Sequence, residues 1–310
     1  MMTSMAATTR PFIPYTADSF LVSKAQGAPL DEARTKTFQS FMASFADQKK
    51  WKFPSIQGVG GNLWGTAYAM GQASDPIWKL VGPVNSKVAD QLKNKGFHAP
   101  ATFGKQITGT SDSPFCVIDR AFGITVFGTK ASYKSGNTIT VGTGACFWHS
   151  SNGLDGRNPK SNNKQNWSSR GRISEALVIR RDLIDYGIAN NTDLGHVLHL
   201  FMTETKTADG FCHPLSGCES GKNGFGAEGE RLVIRPTVNL DSRGMSKAGL
   251  VIAKTLQNYG CIIGDNAGGQ STLKAEVESA ANKVWNGLIK QDELKGITWA
   301  DFACVKKGWQ

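Results

Sequence analysis

The chain has 310 residues, enough to bury a sizeable core as one large domain or two small ones. Its 40% apolar and 19% charged residues, with 35 glycines, exclude general disorder and fit a loop-rich globular protein. A net charge of +10 suits either solubility alone or a polyanionic neighbour such as a teichoic or uronic polymer. No nucleic acid is expected, because the lysines and arginines are scattered and the runs at 48–50 and 304–307 are too short for a binding arm.

The first residues lack a cationic start followed by an apolar h-region, and no stretch approaches the ~20 apolar residues of a membrane helix. Neither conventional secretion nor membrane insertion is therefore expected. Residues 1–30, interrupted by Pro11, Pro14 and Pro29, read as an extended lead-in, and residues 31–310 as a single α+β globular domain. From Asp31 to Gln48 the spacing of Phe38, Phe41, Met42 and Phe45 predicts a core-facing helix, with Asp31 and Glu32 suited to its first turn. A glycine-rich surface loop follows at 57–65, and a short helix is predicted over Ser86–Lys95, stopped by Gly96.

Four β-branched and aromatic runs at 115–119, 123–128, 138–142 and 145–149 predict antiparallel strands. A polar loop, 150–172, is long enough to be the first functional suspect. Beyond it the pattern predicts a helix at 173–186, a strand at 196–203, a glycine-rich loop to 230 and a strand at 231–239. Ser246 caps a helix that Gly260 ends, and Cys261-Ile262-Ile263 reads as a buried strand from which Asp265 and Asn266 emerge. A helix over 273–290 and a strand-like piece over 297–305 complete a twisted antiparallel β core of sandwich or barrel type with packed helices.

The motifs narrow the chemistry. Residues 264–271, GDNAGGQS, have the glycine spacing of a phosphate-binding loop but place Gln270 where the charge-neutralising lysine belongs. His196 and His199, with Cys212 and His213 downstream, suggest a metal site, yet their odd separation on a strand puts the two histidines on opposite faces. No metal and no cofactor is expected. One reading packs each histidine in the core; another brings His196 at a strand start and Asp265 at a strand end into one cleft as catalytic partners in proton transfer. Glycoside cleavage needs two carboxylates, and the candidates are Asp119, Asp155, Glu204, Glu228 and Asp265.

Trp148, His149, Asn152, Trp167, Arg170 and Arg172, with Asn158 between them, supply the rings and polar donors that stack on sugars and bond hydroxyls. Asn266 joins them as a ligand-binding candidate, and both tryptophans could equally cover the core. There is no GxSxG elbow and no HExxH helix, and Cys146 and Cys261 lie in apolar runs that leave them inert. The six cysteines form no scaffold, although Cys212 and Cys218 could close a small loop.

Four segments carry a resemblance: RPFIPYTADSF at 10–20, FWHSSNGLDGRNPKS at 147–161, LGHVLHLF at 194–201 and AKTLQNYGCIIGDNAGG at 253–269. Together they resemble minor tail proteins of actinobacteriophages, mycobacterial phages especially. They are also similar to a wider group of bacterial extracellular proteins with a "PF…DS" start, a "HAL"-like strand and a late "YG…DN" element. The chain departs from that group at Val197, where the pattern has alanine.

The resemblance implies a place on the virion tail and a task at the mycobacterial surface, whose arabinogalactan and related glycans are the obvious ligands. Synthesis in the host cytoplasm fits the missing secretion signal. Three functions follow as expectations: a tail-tip protein recognising envelope glycan, a glycan hydrolase or lyase using His196 or Asp265, or a structural tail part. Its partners would be other tail proteins, cell-wall polysaccharide and further copies of itself.

Overall fold

The computed structural model describes residues 9–44, 51–163, 168–172 and 174–309. Among the described residues fourteen strands, numbered in chain order, form three sheets. The largest contains, in spatial order, β1 (Leu30–Asp31), β14 (Phe302–Val305), β11 (Arg231–Ile234), β12 (Cys261–Asn266), β10 (Leu198–Met202), β13 (Thr272–Lys274) and β2 (Ser55–Gln57). A second sheet has β3 (Ala67–Gly71), β6 (Phe115–Asp119), β7 (Ile124–Thr129) and β9 (Thr143–Trp148). The third has β5 (Phe97–His98), β4 (Ile77–Val81) and β8 (Thr138–Thr140). The α-helices are α1 (Glu32–Ser44), α2 (Arg181–Asn190) and α3 (Lys247–Asn258).

The α+β class holds, but the antiparallel core is corrected to one of mixed sheets, none of which closes into a barrel. Parallel pairs occur in all three: β10 with β12, β13 with β2, β3 with β6, and β4 with β8. These partners are far apart in the chain, and a strand buried on both faces reads as a continuous apolar run that says nothing of pairing direction.

Packing follows from alternation along the strands. Leu198, Leu200 and Met202 of β10 point into an apolar cluster shared with Phe38 and Met42 of α1, Leu183 of α2 and Val251 of α3. On the other side of the large sheet, Val197 and Ile262 pack with Cys116 and Ile118 of β6, Phe127 and Phe147. The intervening β6 residues, Phe115 and Val117, face a third cluster with Trp78, Leu80 and Phe97 of the smallest sheet. Tyr15, Phe20 and Leu21 of the lead-in belong to the cluster between the two larger sheets.

Where local pattern and structure disagree, tertiary pairing decides. The helix expected over 273–290 is replaced by β13 and a series of turns, because sheet neighbours on both sides claim its backbone: Ala275 N–H bonds the Gln57 carbonyl, Glu276 that of Ile179 and Val277 that of Thr66. The helix expected over 173–186 becomes α2, which starts only at Arg181, where the Glu276 carboxylate accepts the Arg181 N–H at 2.7 Å. The strand expected over 231–239 stops at Ile234, two residues before Pro236, which has no N–H to give a ladder. The segment 86–95 is a 3-10 turn followed by one π-helical turn. α3 is capped as expected by Ser246 on the Gly249 N–H. The end of the first predicted helix, including Phe45, lies outside the described residues. Cys212 and Cys218 are free thiols.

Glu276 is buried, and desolvation raises its carboxyl from the ordinary 4.5 to about 7, against the opposing Arg181 N–H. A carboxyl raised in the folded state contributes stability that is fully present below about pH 4.5 and lost as the pH rises through about 7. Urea unfolding of wild type and Glu276→Gln between those limits should show the wild type losing about 1–3 kcal/mol relative to the variant. Parallel curves would contradict the burial argument.

Candidate functional site

Because β10 and β12 run parallel, their carboxyl ends emerge side by side, with Phe201 paired to Asp265 and Met202 to Asn266. Such an edge is where ligands gather in sheets with parallel strands. Alternation that sends Leu200 and Met202 into the core turns His199 and Phe201 to the opposite face, their rings 4.6 Å apart. Gly264 lies against His199: a Cβ there would stand 1.7 Å from Nε2. The His199 ring is buried with neither nitrogen hydrogen-bonded among the described residues, and burial, then the nearby Arg172, Lys274 and Arg170, hold it neutral with a pKa well below the usual histidine value.

The polar loop delivers two cations to this edge. Its side chains turn inward, around the buried Asp155, which accepts from the N–H of Arg157 at 3.0 Å and from that of Ser168 at 2.7 Å. Arg170 adopts a left-handed backbone, φ +53°, and its carbonyl accepts the Ser216 N–H. Its guanidinium then bridges two carboxylates, Glu228 at 2.9 Å and Asp265 at 2.5 Å, while Arg172 pairs with the second oxygen of Asp265. Glu228 is fully buried, and desolvation raises its carboxyl despite the arginine. Asn266 accepts the Thr205 N–H at 2.7 Å and donates to Glu219.

Oxygens of Glu219, Glu228 and Asp265 lie within 4.8 Å of one another, a spacing that could hold a metal ion. The Arg170 guanidinium already bridges two of the three, so a cation would first have to displace it.

Lys274 completes the site. β13 is hydrogen-bonded on both sides, to β10 and β2, which fixes Leu273 toward the core and Lys274 toward the opposite face. Its ammonium lies 4.2 Å from the centroid of the Phe201 ring, with no hydrogen bond or ion pair among the described residues. The residue is 8% exposed, and burial lowers its pKa to about 8, with Asp112 and Glu175 acting only at longer range.

Three cavities join here. One of about 430 Å³ lies between Arg170, Arg172, Glu219, Asp265 and Lys274. It meets a second of about 460 Å³ at Asp112, Phe201 and Lys274, whose far end is walled by Trp51 and Trp64. On the other side it meets a third of about 350 Å³ at Thr143, Ser169 and Arg172. Together they make a groove lined by tryptophans in one cavity and, in the adjoining one, by Arg170, Arg172 and the buried Lys274.

Of the residues expected from sequence, Arg170, Arg172, Asp265 and Asn266 meet in this groove. His196 does not. It lies five residues before Phe201, roughly 15 Å along the chain from Asp265. Its Nδ1 bonds the Val197 carbonyl, and it sits among Arg180, Arg10 and Asp182. The strand that was expected to offer His196 instead offers Phe201 from its other face, with His199 buried beside it.

Trp148 packs against the cluster between the two smaller sheets. His149 bonds Thr125 at 3.0 Å and stacks near Phe12, and burial lowers its pKa to about 4. Asn152 is buried and donates to the Lys160 carbonyl inside the loop. Trp167 lies outside the described residues. Among the other carboxylates, Asp119 binds His98 and the turn at 121–122, and Asp155 holds the loop. Sequence reasoning missed Lys274, hidden in a segment read as a helix, and Glu219, hidden in a glycine-rich loop. The alternation Thr272-Leu273-Lys274 was the available signal.

No family model, curated protein or solved structure matches the chain.

A buried ammonium without an anion destabilises the fold while it is charged. Below about pH 8 the folded lysine carries that penalty, and stability recovers as the pH rises from about 8 toward the ordinary 10.5. Lys274→Met keeps the apolar stem and should raise unfolding stability at pH 7 by about 1–3 kcal/mol, the gain shrinking toward pH 10. A less stable variant in urea unfolding at pH 7 would show that the ammonium is satisfied within the fold.

Proposed function

We propose that the groove binds a polysaccharide chain of the host cell envelope and that the protein does so as a minor tail protein on a virion. The observation that carries the binding reading is the continuity of the groove, from the tryptophans through Phe201 to Arg170 and Arg172. Trp64 is 40% exposed, an unusual cost for so large a ring and a surface on which a pyranose or furanose face can stack. Amides and guanidiniums along the walls suit sugar hydroxyls. The tail location rests on the four sequence segments that resemble actinobacteriophage tail proteins, with other tail proteins and further copies of the chain as partners. The two larger sheets, packed face to face, serve in this reading as a sandwich-type support.

A second reading, cleavage of the bound glycan, is favoured by one feature. Asp265 and Glu219 both line the groove with carboxylate oxygens within 4.8 Å, close to the separation of a retaining glycosidase. Asp265, paired with two guanidiniums, would take the nucleophile's part, and Glu219, with Asn266 at Oε2 and the Lys222 ammonium 4.0 Å from Oε1, the acid's.

Purified protein incubated with host cell-wall arabinogalactan should pellet with it, and Trp64→Ala should weaken that binding about three- to tenfold. Absence of pelleting by the wild type would leave a structural tail part. Soluble sugar released by the wild type and not by Asp265→Asn would establish cleavage; pelleting without release would establish recognition alone.

A further inference from the structure

We propose that the waist of the groove, between Lys274 and Arg172, holds an anionic group, a carboxylate or phosphate borne by an acidic glycan. This rests on the groove being a glycan site and names the class of glycan it selects.

Other buried and half-buried cations of the fold are matched by acceptors. Arg34 reaches Glu230 and Asp209, Arg180 reaches Asp182, Arg231 reaches the Tyr259 and Ser23 carbonyls, and Arg170 bridges Glu228 and Asp265. Each has an acceptor built by the fold, as a buried charge requires. Lys274 has none among the described residues, only the face of Phe201. A lysine can usually extend its stem until the ammonium reaches water. This one is held at 8% exposure by a strand paired on both sides, with its side chain forming part of the wall shared by two cavities.

Arg172, on the wall of the same cavity, repeats the pattern. Its outer nitrogen serves Asp265, while its buried Nε has no acceptor among the described residues. Two cationic side chains therefore line one space of about 430 Å³, and the Lys274 ammonium is a donor there with no acceptor among the described residues. Asp112, Glu175 and Glu219 also border that space and set its limit: the ligand must present a single anionic group to the lysine and neutral hydroxyls elsewhere, since a densely charged chain would meet these carboxylates. An acidic sugar repeat spaced by neutral sugar satisfies both demands. At neutral pH most of the Lys274 population is protonated, so the site is charged when empty.

The test is calorimetric titration of the full chain with three soluble probes: a neutral arabinogalactan fragment, an oligogalacturonate and a glycerol-phosphate oligomer. The wild type is expected to bind at least one acidic probe about tenfold more tightly than the neutral one, and the tighter of the two tells carboxylate from phosphate. Lys274→Gln should abolish that preference, so that acidic and neutral probes bind the variant equally, and Lys306→Gln, an exposed lysine outside the cavity linings, should leave it intact. Equal loss in both variants would mean that the +10 net charge alone attracts acidic polymers, and would overturn the proposal. A preference that survives Lys274→Gln, or neutral binding with no acidic preference, would overturn it while leaving the groove reading in place. Failure of all three probes would remove the groove reading and this inference with it. If Lys274→Gln does not fold, Lys274→Met serves in its stead.

Discussion

The bridge from Arg170 to Glu228 and Asp265 is the contact on which the groove depends. It joins three parts of the chain: the end of the polar loop, the turn before β11 and the carboxyl end of β12. Glu228 is fully buried, so loss of its guanidinium would strand a charge with no route to water, at a cost of about 3–5 kcal/mol. The left-handed backbone at Arg170 is held by the Ser216 N–H and, two residues upstream, by the bond from the Ser168 N–H to Asp155, so the loop's polar residues act mainly on one another. What first looks like a surface rich in sugar-binding donors is largely a clamp that aims two arginines.

The layered packing explains why the groove lies where it does. Helices cover one face of the large sheet and the four-stranded sheet covers part of the other, so the apolar residues of β10 and β12 are consumed inside. Toward their carboxyl ends the same outward face that carries Val197 in the core buries His199 and carries Phe201 to the cavity wall. A neutral histidine, an aromatic ring and an ammonium then succeed one another along that face, the histidine ring and the ammonium without hydrogen bonds among the described residues. The first is tolerable because it is uncharged; the last carries a desolvation penalty that an anionic ligand would relieve.

Much of this was legible in the sequence, and the failures have physical causes. The helix capped by Ser246, the strand at 261–263 and the runs at 115–149 carry their own periodicity and caps and form where they were expected, although the strand runs on to Asn266 and β8 pairs in parallel with β4 in another sheet. Arg170, Arg172, Asp265 and Asn266 were found because unusual polar density marks a loop and because a strand end exposes its last residues. His196 was chosen over His199 for lying at the predicted strand start, whereas the decisive property was which face looked away from the helices. That depends on the neighbouring sheet, which single-strand alternation cannot name. Lys274 escapes the sequence reading because 273–290 has apolar residues at helical spacing while its backbone is taken by β10 and β2, whose paired residues Leu200 and Ile56 lie 73 and 217 positions from Leu273.

The most direct test of the account is an experimental structure of the protein soaked with a cell-wall oligosaccharide. The account predicts sugar rings along the groove from Trp64 past Phe201, with the deepest contacts at Lys274 and Arg172. Density for the sugar at the 150–163 face beside His149, with the groove left to solvent, would contradict it.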